Sequence, residues 1–551
     1  MIVVLGDQLS HDSAALRDID IASDVVVMME VAQESAHVPS HKARTVLFLS
    51  AMRHFAAELR ARGVRVWYSE LDDAANTQQL SGEVRRAAAE LKPERIVITQ
   101  PGEHRVVAMV RAWERELGAP VEVRDDDHFL TTHSQFAAWA KERKELTMEF
   151  FYREQRRRLN ILMEDDGKSP LSGTWNYDHE NRMSFGKAGP GAKIPKPIVF
   201  SPDETTQTVL RVVEKKLAGL PGSLDGFAWP VSRANALAAL DDFVKHRLAN
   251  FGPYEDAMWT GQPMLYHSGI SMALNLKLLY PRECVDAALA AHAKGRASLQ
   301  SVEAFIRQII GWREFIRGVY WLEGETYNQR NYLNHHGTLP DFYWTGDTSM
   351  NCLRETITQV VRTGYAHHIQ RLMVMGNFAL TSGVHPRALS DWFLAMYVDA
   401  VDWVTLPNTL GMVMHADGTA TKKPVVGTKP YCSSGQYIKK MSNYCTGCKY
   451  DPSKRTGDDA CPFTVFYWDF LIRHRAKFAK NPRMAQILGN IDRFGADNVQ
   501  QITISAKRLR DSFGIGDIDK PRAESEASGR TYVASQKGND HAKVAAPPLF
   551  S

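Results

Sequence analysis

Cysteine is scarce in this chain, with six in 551 residues. So thin a supply excludes the disulfide framework of a small secreted scaffold. Long apolar runs are missing too: nothing approaches the ~20 residues that span a bilayer. The opening MIVVLGDQLS has no basic stretch ahead of its apolar residues, so it reads as a strand and not as a signal peptide. A cytosolic (cytoplasmic) monomer is the expectation. Excess charge of either sign is also lacking: 67 Lys+Arg stand against 63 Asp+Glu, for a net charge of +4. Any nucleic-acid surface must therefore be a local patch. The front of the chain has no G-x-G-x-x-G, which argues against a dinucleotide fingerprint there. What is present is ordinary for a globular protein, 44% hydrophobic and 10% aromatic, and the length calls for at least two domains.

Residues 1–130 alternate short apolar runs with amphipathic stretches. Strands are expected at 2–5, 24–31, 64–68, 95–99 and 121–123, and helices at 42–62, 81–91 and 103–117. Such alternation predicts an α/β domain with a parallel, doubly wound sheet, whose ligands sit at the carboxyl ends of the strands. The turns Gly6-Asp7-Gln8 and Gln33-Glu34-Ser35 lie at those ends; capped turns without a ligand are the alternative. Residues 131–205 read as a connector. It holds Arg153, Arg156, Arg157 and Arg158 on an expected helix over 147–163, then WNYDHENR at 175–182. The arginines suit either a solvated face or phosphate contact. Residues 206–516 read as a large all-α domain, with helical runs at 234–249, 268–279, 302–321, 353–375, 386–401 and 462–479. The apolar-poor stretch 517–551 reads as a disordered or locally docked tail.

Four of the six cysteines fall after residue 431. Cys445 and Cys448 form a C-x2-C pair, and Cys461 follows ahead of Pro462. Two thiolates three positions apart can grip one metal from a single turn. Cys352 and Cys432 compete as the fourth ligand, and spacing leaves zinc and an iron–sulfur cluster as alternatives. Cys284 reads as core. His367 and His368 are adjacent; on a helix they would point about 100° apart, unable to face one ligand, though one can serve as a general acid. Arg313, beside Trp312 in an apolar helix, needs an anionic partner. The run His267-Ser268-Gly269-Ile270-Ser271, at an expected helix start, suits a pyrophosphate. Asp399 to Asn408 is a further polar segment after a helix.

Together, LGDQLS (5–10), KARTVLFLSAMRHFAAELR (42–60), LTMEFFYRE (146–154), WNYDHENR (175–182), FIRQIIGWREF (305–315), YAHHIQRLM (365–373), GTKPY (427–431) and the cysteine arrangement resemble the cryptochrome/photolyase superfamily. More narrowly, they resemble its prokaryotic iron–sulfur cryptochromes and (6-4) photolyases, over about residues 1–515. The resemblance implies FAD in the helical domain, with His267, Ser268 and Ser271 at the phosphates. Gln308, Trp312, Arg313, Asn377, Asp399 and Asn408 would line the rest of its pocket. It implies a [4Fe-4S] cluster on Cys352, Cys445, Cys448 and Cys461, and a 6,7-dimethyl-8-ribityllumazine antenna at Gly6, Asp7, Gln8 and Glu34. Trp392 and Trp344 match its electron-transfer chain.

The implied activity is light-driven repair of (6-4) photoproducts in UV-damaged DNA. His368 would be the proton donor, and His367, Tyr431 and Tyr437 would stand at the lesion. Arg153, Arg157, Arg182, Lys439 and Lys440 would meet DNA, and Asp178 a divalent cation such as Mg2+. The alternatives are a blue-light-signalling cryptochrome with the same cofactors and a primase-like iron–sulfur module without photochemistry. Two departures from the family pattern stand out. The family commonly has a Gly within the segment that here reads Leu274-Asn275-Leu276-Lys277-Leu278, and the loop 412–426 is longer.

Overall fold

The alternation at the front of the chain becomes a five-stranded, wholly parallel sheet. The computed structural model describes residues 1–521 except 142, 192–193 and 419–423. Most of the expected tail, and part of the long 412–426 loop, thus lie outside the described residues. The strands are β1 (Ile2–Val3), β2 (Val25–Met29), β3 (Arg65–Ser69), β4 (Ile96–Thr99) and β5 (Val121–Arg124), in the order β3-β2-β1-β4-β5. Ile2 stands opposite Val26 on one side and Val97 on the other. That order reverses direction at β1, which makes the turns after β1 and β4 the switch point where such sheets hold ligands.

Side chains alternate across the sheet. Ile2, Val26, Met28 and Val97 face the helix Lys42–Ala61 and the core that continues into the helical half. Val3, Val27, Met29, Ile96 and Ile98 lie beneath the helices Leu80–Leu91 and His104–Leu117. Burial on both faces explains the continuous apolar runs of β1, β2 and β4, each fully buried large side chain contributing about 1.5–3 kcal/mol.

From residue 204 on, the described regular elements are helical, but three long periodic runs are interrupted. The run at 302–321 is a helix (Leu299–Ile306), a π-helical turn (Arg307–Arg313) and a second helix (Glu314–Glu323). The run at 353–375 stops at Thr363, where Gly364 takes a φ of +68°. A non-helical stretch follows, and then a π-helical turn, Gln370–Gly376. The helix expected at 268–279 shrinks to Ser271–Asn275, flanked by left-handed residues at Gly269 and Lys277. Among the described residues no helix is long and apolar enough to cross a membrane.

Lys277 explains one departure from the family pattern. Its φ of +65° suits glycine, and the conformation costs a residue with a Cβ about 1–2 kcal/mol. What holds a lysine there is an ion pair: Nζ lies 2.8 Å from Asp126 Oδ2, with both side chains almost buried. The neighbouring Leu276 carbonyl accepts from the Leu9 amide, so the segment fastens the front sheet to the helical half. Burial alone would raise the Asp126 carboxyl, but Lys277, Arg317 and His128 overcome it and hold it at about 2. Its pKa is thus depressed on folding. The stability it adds is complete above the ordinary carboxylate value near 3.8 and is lost as pH falls toward 2, about 2 kcal/mol in all. Lys277→Gly should relieve the backbone yet strand Asp126, which costs more. We expect net destabilisation of about 2 kcal/mol in denaturant melts at pH 7, shrinking below pH 3.

Candidate active site and thiol centre

A cavity of about 1160 Å³ opens in the helical half, larger than the ~300–1,000 Å³ of an ordinary small-molecule cleft. Its wall includes Ser268, Ser271, Gln308, Trp312, Arg313, Asp399 and Asn408, all expected from sequence. Arg313 is buried; its Nη2 donates to the Leu274 carbonyl, while Nε and Nη1 make no hydrogen bond. The nearest carboxylate oxygen, on Glu314, is 3.6 Å away. Burial draws this guanidinium down to about 10. An unsatisfied buried cation on a cavity wall fits an anionic ligand such as a dinucleotide phosphate.

Deeper in, Asp399 is gripped by Arg371, with Nη1 3.0 Å from Oδ1, and it accepts from Ser271 Oγ at 2.6 Å. Arg371 also stacks on Tyr397, 3.8 Å from the ring centre. Asn377 stands apart: it does not line the cavity. Its carboxamide bonds the Ser433 amide and carbonyl, so it is a strut for the loop that carries Tyr431.

The histidines require a correction. Because Gly364 ends the helix, His367 is not helical, and His367 and His368 line the same cavity. His267 stacks on His367 with centroids 4.2 Å apart, and His368 lies 5.4 Å from His267. His267 is therefore part of the histidine group. Its two ring nitrogens face the Met264 and Glu255 carbonyls at 3.1 Å, and burial pushes it down to about 3. One nitrogen from each of the three lies within 4.8 Å of the others, yet both His267 nitrogens are already turned onto carbonyls, which aims that ring poorly at a shared metal.

His367 is buried, and neither ring nitrogen has a partner. Burial, then His267, hold it well below the usual imidazole range. His368 differs, with its side chain half exposed and Nε2 3.6 Å from Asp256 Oδ1. Asp256 Oδ2 in turn accepts from the Tyr437 hydroxyl at 3.3 Å. Sequence reasoning passed over Asp256 and also Glu255, whose buried carboxyl is pushed up to about 7 by burial, partly offset by His368 and Arg307.

Arg307, within FIRQIIGWREF, is a further site residue that local sequence does not reveal. It joins Asp178 (3.0 Å), Glu303 (3.4 Å) and Glu255 (3.8 Å). Asp178 is bound as well by Arg182 at 2.7 Å, so two guanidiniums already occupy the carboxylate assigned to a divalent cation. Arg153 and Arg157 lie 5.4 and 4.6 Å from the Trp175 ring centre and clasp the connector. Lys439 and Lys440 are exposed on the helix Gly435–Met441. Tyr431 is exposed at the mouth, near Arg483, an unanticipated wall residue whose Nη1 donates to Thr428 Oγ1 at 2.7 Å.

Trp392 is buried 6.4 Å from the half-buried Trp344, rings near perpendicular, and 5.9 Å from Tyr397 on the cavity wall. The row runs from the periphery to the cavity.

Four cysteines converge elsewhere. Cys352 comes from the helix Asn351–Thr363, Cys445 and Cys448 from the turn after Gly435–Met441, and Cys461 from the cap of Pro462–Arg473. All four line one small apolar pocket. A Cβ on Gly435 would sit 2.9 Å from Cys461 Sγ, so glycine is what allows this approach. Burial and the neighbouring sulfurs push Cys352 far up, and burial raises Cys461 to about 12. Four free thiols facing one small pocket, with Cys352, Cys445 and Cys461 held in the protonated form by burial, suit a cationic centre that would favour their thiolates. Cys432 lines the large cavity instead.

At the switch point of the sheet, Asp7 is pushed up to about 6 by burial, which Lys277 partly offsets. Glu34 forms a two-pronged ion pair with Arg105, at 2.9 and 2.7 Å. Gly6 approaches Met52: an added Cβ would lie 3.1 Å from its sulfur. Gln8, expected to touch a ligand, is buried; its carboxamide bonds the Leu5 amide and the Thr99 carbonyl, knitting β1 to β4.

Comparison with known proteins places the chain in a family. A family model described as "Deoxyribodipyrimidine photo-lyase-related protein" matches residues 2–229. A bacterial class III photolyase from Agrobacterium tumefaciens superposes with a TM-score of 0.52 at 14% identity, over 93% of this chain and 98% of that one; it shows a shared fold. A (6-4) photolyase from Agrobacterium fabrum (strain C58 / ATCC 33970) is 47% identical over 486 residues, 88% of this chain and 94% of the relative. At that identity over nearly the whole relative, the chain belongs to the (6-4) photolyase family.

Proposed function

We propose that this chain repairs (6-4) pyrimidine photoproducts in DNA under light, with His368 as the proton donor. The observation that carries the reading is the division between two neighbouring imidazoles on one cavity wall. His367, buried and unpartnered, is held neutral by its surroundings. His368 reaches the open part of the cavity, within attraction of the Asp256 carboxylate. Of the two imidazoles, His368 is the one we assign to carry a proton to an extruded base, and Tyr437 braces the same carboxylate. Damaged bases stack and pair poorly, so their extrusion costs less than that of a normal pair.

FAD, bound in this cavity, supplies the light-excited electron donor. Arg313 would meet its phosphates, with Ser268 beside it, and the Arg371–Asp399 pair and Asn408 would hold its ring system. We assign the four thiols to a [4Fe-4S] cluster, and the switch point around Asp7 to a ribityllumazine antenna. DNA would lie across Arg182, Lys439 and Lys440, its affinity falling with salt.

Two measurements test the reading. In oligonucleotides of one sequence, (6-4) lesions should be repaired and cyclobutane dimers left; the reverse would remove the need for His368. Trp392→Phe should slow light-driven reduction of the bound flavin several-fold, with repair by chemically reduced protein unchanged. Equal photoreduction rates would put the electron path elsewhere.

A further inference from the structure

The segment Tyr365–His367 that leads into the histidines is non-helical, because Gly364 ends the preceding helix. It is held instead by two facing carboxamides. Gln359 Nε2 donates to Gln370 Oε1 and Gln370 Nε2 to Gln359 Oε1, both at 3.1 Å. Gln359 Nε2 also donates to the Tyr365 carbonyl at 3.0 Å, and Gln370 Oε1 accepts from the His367 amide at 3.2 Å. The pair thus grips both ends of the segment Tyr365–His367.

The pair is itself tied down from one side. Gln370 Nε2 donates to the Tyr444 hydroxyl at 3.1 Å. Tyr444 is buried, precedes Cys445 in the chain, and lines the same small pocket as the four thiols. Gln359 lies two helical turns beyond Cys352, at i+7 on the same helix face. Two of the three thiol-bearing segments therefore lead through one hydrogen-bonded bracket to the histidine backbone. The π-helical turn that starts at Gln370 interrupts regular pairing at the same point, as such turns often do at functional sites.

We propose that Gln370 and Tyr444 are positioning residues for the His367–His368 pair, and that through them the thiol centre sets the geometry of proton donation. The proposal rests on the photorepair reading above. Within it, the thiol centre acts on the rate of the reaction as well as on stability, with no change in its own charge required.

The test uses the purified holoprotein. Tyr444→Phe removes one hydroxyl and keeps the ring against the thiols. We expect unchanged iron and flavin content and a lesion Kd within twofold of wild type. Repair at saturating lesion should fall roughly tenfold, the scale of a sub-ångström misplacement of a catalytic group. If Tyr444→Phe loses iron, Gln370→Met serves, since it leaves the thiol pocket's wall intact; the same split between rate and binding is expected. Histidine-labelled protein adds a readout independent of repair: the His367 and His368 ring signals should move in both variants. Saturated rates within twofold of wild type, a loss confined to Kd, or unmoved ring signals would overturn the proposal. If wild type itself fails to repair, the photorepair reading falls, and the ring signals alone decide whether the bracket positions the pair.

Discussion

His368→Ala should lower light-driven repair by at least ~10²-fold, the usual worth of a positioned acid or base, while flavin content, iron content and lesion affinity stay near wild type. His368 can be removed at little structural cost because its side chain is half exposed and its contact with Asp256 is a long one, at 3.6 Å. Asp256 keeps the Tyr437 hydroxyl. His367 provides the contrast. It is buried against His267 at 4.2 Å, so His367→Ala leaves a cavity and should lower stability as well as activity. Repair that survives in His368→Ala would assign the proton to another group, and the buried Glu255 carboxyl would be examined next.

The second large effect is expected at the thiol centre. Cys352→Ser should abolish iron binding and destabilise the helical half by at least ~3 kcal/mol, a fall in Tm of roughly 6–12 °C. The reason is topological. Cys352 lies 93 positions before Cys445, and a centre held by all four sulfurs closes that span and fixes three helical segments against one another. Cys432→Ser is the control. That thiol faces the large cavity, outside the cluster of four, and its loss should leave iron and Tm unchanged. Iron retained in Cys352→Ser but lost in Cys432→Ser would reverse the ligand assignment.

The parallel sheet was legible because strands buried on both faces write themselves as apolar runs between amphipathic helices. The convergence of Cys352 with Cys445, Cys448 and Cys461 was implied by family resemblance alone; spacing left Cys352 and Cys432 as alternatives, since Cys352 is joined to the others only by the fold. The backbone at the histidines was not legible. Helical periodicity runs on through residues 353–375, and a single glycine at φ +68° redirects the chain without disturbing the apolar pattern. Gln8 and Asn377 carry polar groups in motif positions, yet their partners are backbone atoms of distant segments, Thr99 and Ser433, which no local pattern reveals. Arg307 was hidden in the same way. Its three carboxylates come from the connector, from its own helix and from the turn at Glu255. The segment Leu274-Asn275-Leu276-Lys277-Leu278 stood out as a departure from the family pattern, and the lysine in it is explained only by Asp126 beside it.

The measurement that tests the central claim most directly is repair of a defined (6-4) lesion in an oligonucleotide under blue light, with a dark control. The account predicts recovery of intact pyrimidines in the light, none in the dark, and next to none with His368→Ala in the light. No recovery from wild-type protein that holds flavin and iron, and whose flavin is photoreducible, would contradict it.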